Sequence, residues 1–443
     1  MRNTCLLILL LAATAAGAGA QSGPIDPERA ARYFEEARSI SAIDGGRLWG
    51  VPLYGPMMFV DPATSTVVAS QADKEGKLTQ QGAVWAGKLP PEIGAANTSI
   101  EWLGVRWTMV MWPVPIYPKD RASLMMHESF HRVQSQIGLP ARDAVNSHLD
   151  TRDGRIFLEL EWRALERALE DWANPPRRNL ALADALLFRA RRRQAIAGSA
   201  EKENALEMNE GLAQFTGERL ANPKPEEMRE AAINALKTAG RRKSYARSFA
   251  YVSGPVYGVL LDMAPQPAGG QSWRKSLTPD TDFAALIENA YGIEAPQPSS
   301  EAVKARLGPY NGSELIAQET AREEKQKAAI AAARARFVDG PLLILPVVHH
   351  LGYSFDPNNV VALDENLTLY TPVKVSDDWG VLNCEKGGVM AREKGSIVRA
   401  QVPAPADPAA RPVKLDGCTL DLHEGWTIAP GERDGDYILK ETP

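Results

Sequence analysis

The segment Leu124-Met125-Met126-His127-Glu128-Ser129-Phe130-His131-Arg132-Val133 places two of the chain's six histidines four residues apart, with a carboxylate beside the first. Leu124, Phe130, Val133 and Ile137 recur at roughly helical spacing, and Gly138-Leu139-Pro140 supplies a stop, so the segment is predicted to be a helix. On a helix, residues i and i+4 share one face, one turn apart. Two neutral imidazoles at that spacing can hold a Zn²⁺ at about 2.0–2.1 Å each. Glu128 then sits where it can take a proton from a water that such a metal activates. The competing reading is an ordinary helix with two surface histidines.

A catalytic zinc usually keeps three protein ligands and one open position. The leading candidate for the third ligand is Glu210, in the run Met208-Asn209-Glu210-Gly211-Leu212-Ala213-Gln214-Phe215. With these two motifs in this order, the chain resembles the gluzincin metallopeptidases, the thermolysin and aminopeptidase class. In that class a second helix carries an Asn-Glu-Gly-Phe-Ala-like run whose glutamate completes the metal site. The resemblance implies that His127, His131 and Glu210 are zinc ligands and that Glu128 is the general base. It covers two short motifs and their order. Three features depart from it. The gap from His131 to Glu210 is far longer than in compact members, which implies a helical insertion. Arg132 stands at a position that is usually uncharged. Gln214 stands where thermolysin-like members often carry an acidic residue four after the glutamate. Glu203 and Glu207 are rivals for the third position because they lie on the same predicted helix, although most carboxylates on such a helix are solvated. His148, after a loop at Pro140 to Ser147, is a further alternative.

Amide hydrolysis also needs a donor for the developing oxyanion, and loss of one such donor typically costs about 10²–10³ in rate. Some gluzincins use a tyrosine downstream of the glutamate helix. The run Ser248-Phe249-Ala250-Tyr251-Val252-Ser253-Gly254-Pro255-Val256-Tyr257-Gly258 offers Tyr251 and Tyr257, with Arg247 behind them. Gly254-Pro255 is placed to kink this helix and aim a tyrosine inward. The alternative for either residue is ordinary packing with a satisfied hydroxyl.

The first 20 residues read as a cleavable signal peptide. Arg2 gives a positive start, Leu6 to Ala16 is an apolar run too short to span a bilayer, and Ala18-Gly19-Ala20 fits a cleavage site before Gln21. Cys5 comes too early for lipoprotein attachment. The expected location is periplasmic or secreted, with no transmembrane segment in the mature chain. Cleavage leaves Cys384 and Cys418, candidates for one disulfide in an oxidising compartment. At 44% apolar and 24% charged residues the chain has the composition of a folded protein, and its net charge of −5 gives no electrostatic case for nucleic acid. The cluster Arg189, Arg191, Arg192 and Arg193 reads as the solvated end of a helix, with an anionic partner as the alternative.

Pro27 to Ile43 reads as a helix capped by Asp26. From Gly46 to Tyr117 short apolar runs are split by Gly, Pro and Asp, and Leu48–Val51, Met57–Val60, Thr66–Ala69 and Val105–Trp112 read as strands. The last is a candidate edge strand able to pair with an extended peptide, although a central strand would look much the same. Residues 154–338 read as helical, with helices over Ile156–Trp172, Leu180–Ala197, Pro225–Ala239, Tyr245–Met263 and Ser313–Val338. Gly340-Pro341 marks a boundary. Strand signals then return at Leu342–Val348, Val360–Leu363, Leu367–Val373, Ser396–Val402 and Tyr437–Lys440. His349-His350 and His423 fall in this region, without the ligand spacing of a second metal site.

The fold class expected is α+β: a zincin-like catalytic region, with strands and then the histidine helix followed by a helical subdomain, and a C-terminal β-rich module. The divisions are 1–20 signal peptide, 21–140 α/β part with the histidine helix, 141–339 helical subdomain with the third ligand, and 340–443 β module. The function expected is that of an exported zinc metallopeptidase acting on a peptide or protein substrate, with Glu128 as general base. An envelope binding or scaffold protein with a structural or vestigial zinc is the alternative, as is a zinc hydrolase acting on a non-peptide amide or ester. The Gly-x-Met-Glu-Asn aminopeptidase run is lacking, so that subclass is not supported.

Overall fold

The computed structural model describes residues 23–90, 92–265, 272–356 and 359–442. The expected signal peptide and its cleavage site before Gln21 lie outside the described residues. The architecture is α+β, and the chain divides into two compact units between Glu319 and Thr320. Among the described residues, no helix is long and apolar enough to cross a membrane.

The first unit opens with helix α1 (Pro27–Asp44), whose N-terminus is capped by Asp26 accepting from the Arg29 amide at 2.7 Å. Its apolar face, Phe34 among it, packs on a sheet of β1 (Met57–Val60), β2 (Thr66–Ala69), β3 (Thr79–Gln81), β4 (Val84–Lys88), β5 (Thr98–Trp102) and β6 (Val105–Met111). The strand order is β3-β4-β2-β1-β6-β5. Strand β6 runs parallel to β1 and antiparallel to β5. Two expectations are corrected here. The stretch Val105–Trp112 is not an edge, because β6 lies between β1 and β5, and β5 forms the edge beside it. Leu48–Val51 is a turn and not a strand: Gly46 and Gly50 adopt φ of 77° and 76°, and the Gly50 amide bonds the Gly46 carbonyl at 2.7 Å.

Helix α2 (Pro118–Val133) carries the histidines. It lies between two cores. Met125 and Met126 pack with Phe59 and Val110 of the sheet, while Phe130 and Val133 enter a larger helical core. That core is built by α3 (Arg152–Glu170), α4 (Pro175–Gln194), α5 (Ser199–Leu206), α6 (Leu212–Ala221), α7 (Pro225–Ala239), α8 (Ala250–Met263), α9 (Phe283–Tyr291), α10 (Ser300–Arg306) and the start of α11 (Gly312–Arg334). Leu158, Leu165, Phe188, Leu212 and Phe215 are fully buried there, and burial of such a side chain contributes about 1.5–3 kcal/mol. A wider, π-type turn over Glu207–Gly211 joins α5 to α6. Such turns are frequent at functional sites.

The second unit contains β7 (Leu342–Pro346), β8 (Gly352–Phe355), β9 (Val360–Ala362), β10 (Leu367–Tyr370), β11 (Val373–Asp377), β12 (Gly380–Cys384), β13 (Gly388–Glu393), β14 (Ser396–Pro403), β15 (Val413–Leu415), β16 (Cys418–Leu422), β17 (Trp426–Pro430) and β18 (Tyr437–Glu441). They form two sheets, ordered β17-β18-β7-β14-β13-β10-β9 and β15-β16-β12-β11-β8. Leu343, Val375, Trp379, Leu382, Val402 and Leu420 share the core. The expected single strand Leu367–Val373 is two strands in different sheets, interrupted at Thr371-Pro372, where Pro372 lacks an N–H for the ladder. Cys384 and Cys418 face each other on β12 and β16 and form a disulfide. The unit begins 20 residues or so before Gly340 because Ile330 and Ala333 of α11 pack with Phe337, Leu363 and Val389.

Candidate metal centre

The periodicity of α2 turns His127 and His131 to one face, and the π-type turn brings Glu210 against them. Nε2 of His131 lies 3.2 Å from Nε2 of His127. Each Nε2 lies 3.5 Å from Oε2 of Glu210. Ligands about 2.0–2.1 Å from a tetrahedral cation stand about 3.3–3.4 Å from one another. The three atoms therefore have the mutual spacing of three corners of such a site. Among the described residues this is the one group of three histidine, cysteine or carboxylate side chains gathered so closely. The side chains are 6%, 13% and 12% exposed.

Glycines allow the elements to meet. A Cβ added to Gly254 of α8 would lie 2.3 Å from Cα of Gly211, the last residue of the π-type turn. A Cβ on Gly217 of α6 would lie 2.3 Å from the Ser123 carbonyl oxygen of α2. Both distances are below any tolerable contact, so side chains at these positions would push the glutamate segment off its neighbours. The approach at Gly254 delivers Tyr251, whose hydroxyl donates to Oε2 of Glu210 at 2.7 Å and whose ring stacks on His127.

The ligand candidates are held from behind by amides. Nδ1 of His127 meets Oε1 of Gln214 at 3.1 Å, and Nε2 of Gln214 donates to Glu218 at 3.0 Å. Nδ1 of His131 meets Oε1 of Gln134 at 2.9 Å, and Nε2 of Gln134 donates to Asn209 at 3.1 Å. Asn209 in turn donates to Oε1 of Glu210 at 3.4 Å, and Arg247 lies 3.5 Å from the same oxygen.

Glu128 is 4% exposed, and its Oε2 has no hydrogen-bond partner among the described residues. Burial pushes its carboxyl pKa up, against the nearby imidazoles. Burial also opposes ionisation of Glu210, but hydrogen bonds from His127 and His131 outweigh it and hold that carboxyl far below the usual range. His131 is raised to about 9, where the effect of Glu210 exceeds that of burial. A divalent cation bound there would displace the proton that His131 shares with Glu210, leaving a carboxylate and two neutral imidazoles as its donors.

The structure brings His127, Glu128, His131, Glu210 and Tyr251 together. It directs Tyr257 elsewhere: the Tyr257 hydroxyl donates to Glu161 at 2.7 Å in a buried ionic cluster. The rivals are in that cluster too. Glu203 is bound by Arg192 and Arg193 and by His148 at 2.8 Å, and Glu207 by Arg189. This corrects the reading of the arginine run as a solvated helix end. Arg189 and Arg192 are 1% and 2% exposed, because α3 and α5 supply Glu161 and Glu203 to neutralise them. His349 and His350 both bond Asp378 on the surface of the second unit, and His423 bonds the Asp378 carbonyl. Sequence reasoning missed Gln134 and Asn209 as partners. The available signal was the position of Gln134 three residues after His131, one turn along the same face.

No protein-family model, curated protein or solved structure matches this chain.

Proposed function

We propose that this chain is an exported zinc-dependent peptidase with a gluzincin-like centre on a zincin-like region. The observation that carries the reading is the spacing of His127 Nε2, His131 Nε2 and Glu210 Oε2, 3.2–3.5 Å apart, with the buried carboxylate of Glu128 beside them. Zn²⁺ bound there would acidify a water from a pKa of 15.7 toward about 7 and polarise a carbonyl. His127, His131 and Glu210 would hold the ion. Glu128, whose Oε1 lies 3.9 Å from His127 Nε2, would accept a proton on its carboxylate and pass it to the departing amine. The Tyr251 hydroxyl points at the same cluster and would donate to the developing oxyanion. Strand β5, the sheet edge, lies against α2 through Ser99 Oγ, which donates to the His131 carbonyl at 3.3 Å. Its free main-chain groups would bind an extended peptide. The disulfide Cys384–Cys418 supports export, since such bonds persist in oxidising compartments.

A purely structural metal has no use for the buried base, which favours the enzyme over a scaffold. The deciding experiment is metal content of the purified protein beside a His127→Ala, His131→Ala double variant. About one zinc per chain in the first and none in the second is expected. No zinc in either after reconstitution would end the metallopeptidase reading. Turnover of peptide but not ester or non-peptide amide substrates by loaded protein would then separate the hydrolase classes.

A further inference from the structure

The two histidines are oriented by side-chain amides, and the two arrangements differ. Behind His127 the chain of bonds runs outward: Gln214 passes it to Glu218, which also accepts from Ser123 at 3.2 Å and Asn222 at 3.3 Å. Behind His131 the chain of bonds turns back on the site. Gln134 passes it to Asn209, and Asn209 returns it to Glu210, itself one of the three ligand candidates.

The direction of each amide in this ring follows from the carboxylate at its end. An ionised carboxylate only accepts. Asn209 must therefore turn its NH₂ to Glu210, which leaves its carbonyl for the NH₂ of Gln134. The carbonyl of Gln134 is then left for Nδ1 of His131, which has to carry the hydrogen. With Nδ1 so committed, Nε2 is the nitrogen left to offer a lone pair to a cation placed between it, Glu210 Oε2 and His127 Nε2. Gln134 is 1% exposed and Asn209 is buried, so water does not compete for these bonds.

Resting on the metal reading above, we propose that Gln134 and Asn209 are positioning residues that couple two of the three zinc ligands. The ring fixes the tautomer of His131 on α2 and the carboxylate plane of Glu210 on the π-type turn as one unit. Removing either member releases both ligands, so removing the second costs nothing further. Gln214 acts on His127 alone, through a separate path, and its loss adds independently to the loss of Gln134.

The test is the Zn²⁺ dissociation constant of the full chain, measured by competition with a chromophoric chelator. Variants are Gln134→Met, which keeps the volume, Asn209→Ala, Gln214→Met and the pairs. Loss of a partner behind a ligand typically costs about 10–100-fold in affinity. Gln134→Met and Asn209→Ala are each expected to lose that much, and their pair no more than about threefold beyond the worse single. Gln134→Met with Gln214→Met should instead multiply. Co²⁺-loaded Gln134→Met should show an altered visible absorption band, which a merely structural change distant from the ligands would not produce. If Gln134→Met does not fold, Gln134→Ala takes its place. Affinity of Gln134→Met within about threefold of the parent would overturn the coupling, as would multiplying losses in the Gln134 and Asn209 pair. A parent chain that binds no zinc would overturn the metal reading and this inference together, whereas an unchanged Gln134→Met in a zinc-binding parent removes this inference alone.

Discussion

A buried glutamate is expensive unless it is paired, and Glu128 has an oxygen with no partner among the described residues. The nearby imidazoles of His127 and His131 offset only part of that cost, and a proton-transfer role beside them gives a reason to keep the residue. Replacing it by glutamine keeps the shape and removes the base. Glu128→Gln is expected to retain zinc, lose about 10²–10⁴ in kcat, and be at least as stable as the parent in denaturant titration. Full turnover in the variant would remove Glu128 from the mechanism. Tyr251 and Tyr257 separate at the same scale. On a helix, residues six apart point about 120° away from each other, so only one can face Glu210. The run 248–258 showed that two tyrosines were available, but the choice depends on the rotation of α8, which Gly254 sets. Tyr251→Phe should lower kcat by about 10²–10³ in zinc-saturated protein, and should also weaken zinc binding because the hydroxyl bonds Glu210. Tyr257→Phe should instead lower stability, since it leaves Glu161 short of a buried donor. Equal kcat in the parent and Tyr251→Phe would leave the oxyanion without this donor.

Between elements, the site depends on two close backbone approaches. Gly254→Val would place carbon where Gly211 now stands. The expected result is a loss of about 1–3 kcal/mol from overpacking, accompanied by weaker zinc binding as Glu210 and Tyr251 shift. Unfolding curves and the zinc dissociation constant of the variant check it, and parent-like affinity would mean that the turn is held by other contacts. The elements most legible in the sequence were those with a marked start and a long period: α1 with Asp26 and Pro27, and α7 over Pro225–Ala239 with Pro225 and the acidic first turn of Glu226 and Glu227. The join of His127, His131 and Glu210 was legible because each motif is local. The π-type turn was not, since no composition signal separates Glu207–Gly211 from an α-helical turn. Strands β3, β4 and β5 also escaped notice. They are three to five residues long and largely unburied, so they lack the alternation that marks a half-buried strand. The arginine run misled because charge reads as exposure when its partners, Glu161 and Glu203, lie on other helices.

For the whole molecule, charge composition predicted an ordinary folded protein, yet much of the helical unit is organised around buried charge. Glu161, Glu203 and Glu207 face Arg189, Arg192 and Arg193 with almost no exposure. Such a cluster is costly to break, because removing one member strands another; a single deletion typically costs about 3–5 kcal/mol. It also makes stability depend on acid. Burial disfavours the charged form of Glu203, but Arg192, the bond from His148, and Arg193 overcome this and hold its carboxyl well below the ordinary 4.5. The unfolded chain therefore takes up this proton at higher pH than the folded one. The contribution of Glu203 is complete above about 4.5 and is lost progressively as the pH falls below it. Glu203→Gln, which has no such proton to gain, should be less stable than the parent at pH 7, and the gap should narrow as both are acidified below about pH 4.5. Denaturant titrations of both proteins across that range measure it. A gap that stays constant with pH would mean that Glu203 takes up its proton at the same pH in the folded and unfolded chains, and that the arginines do not hold it down.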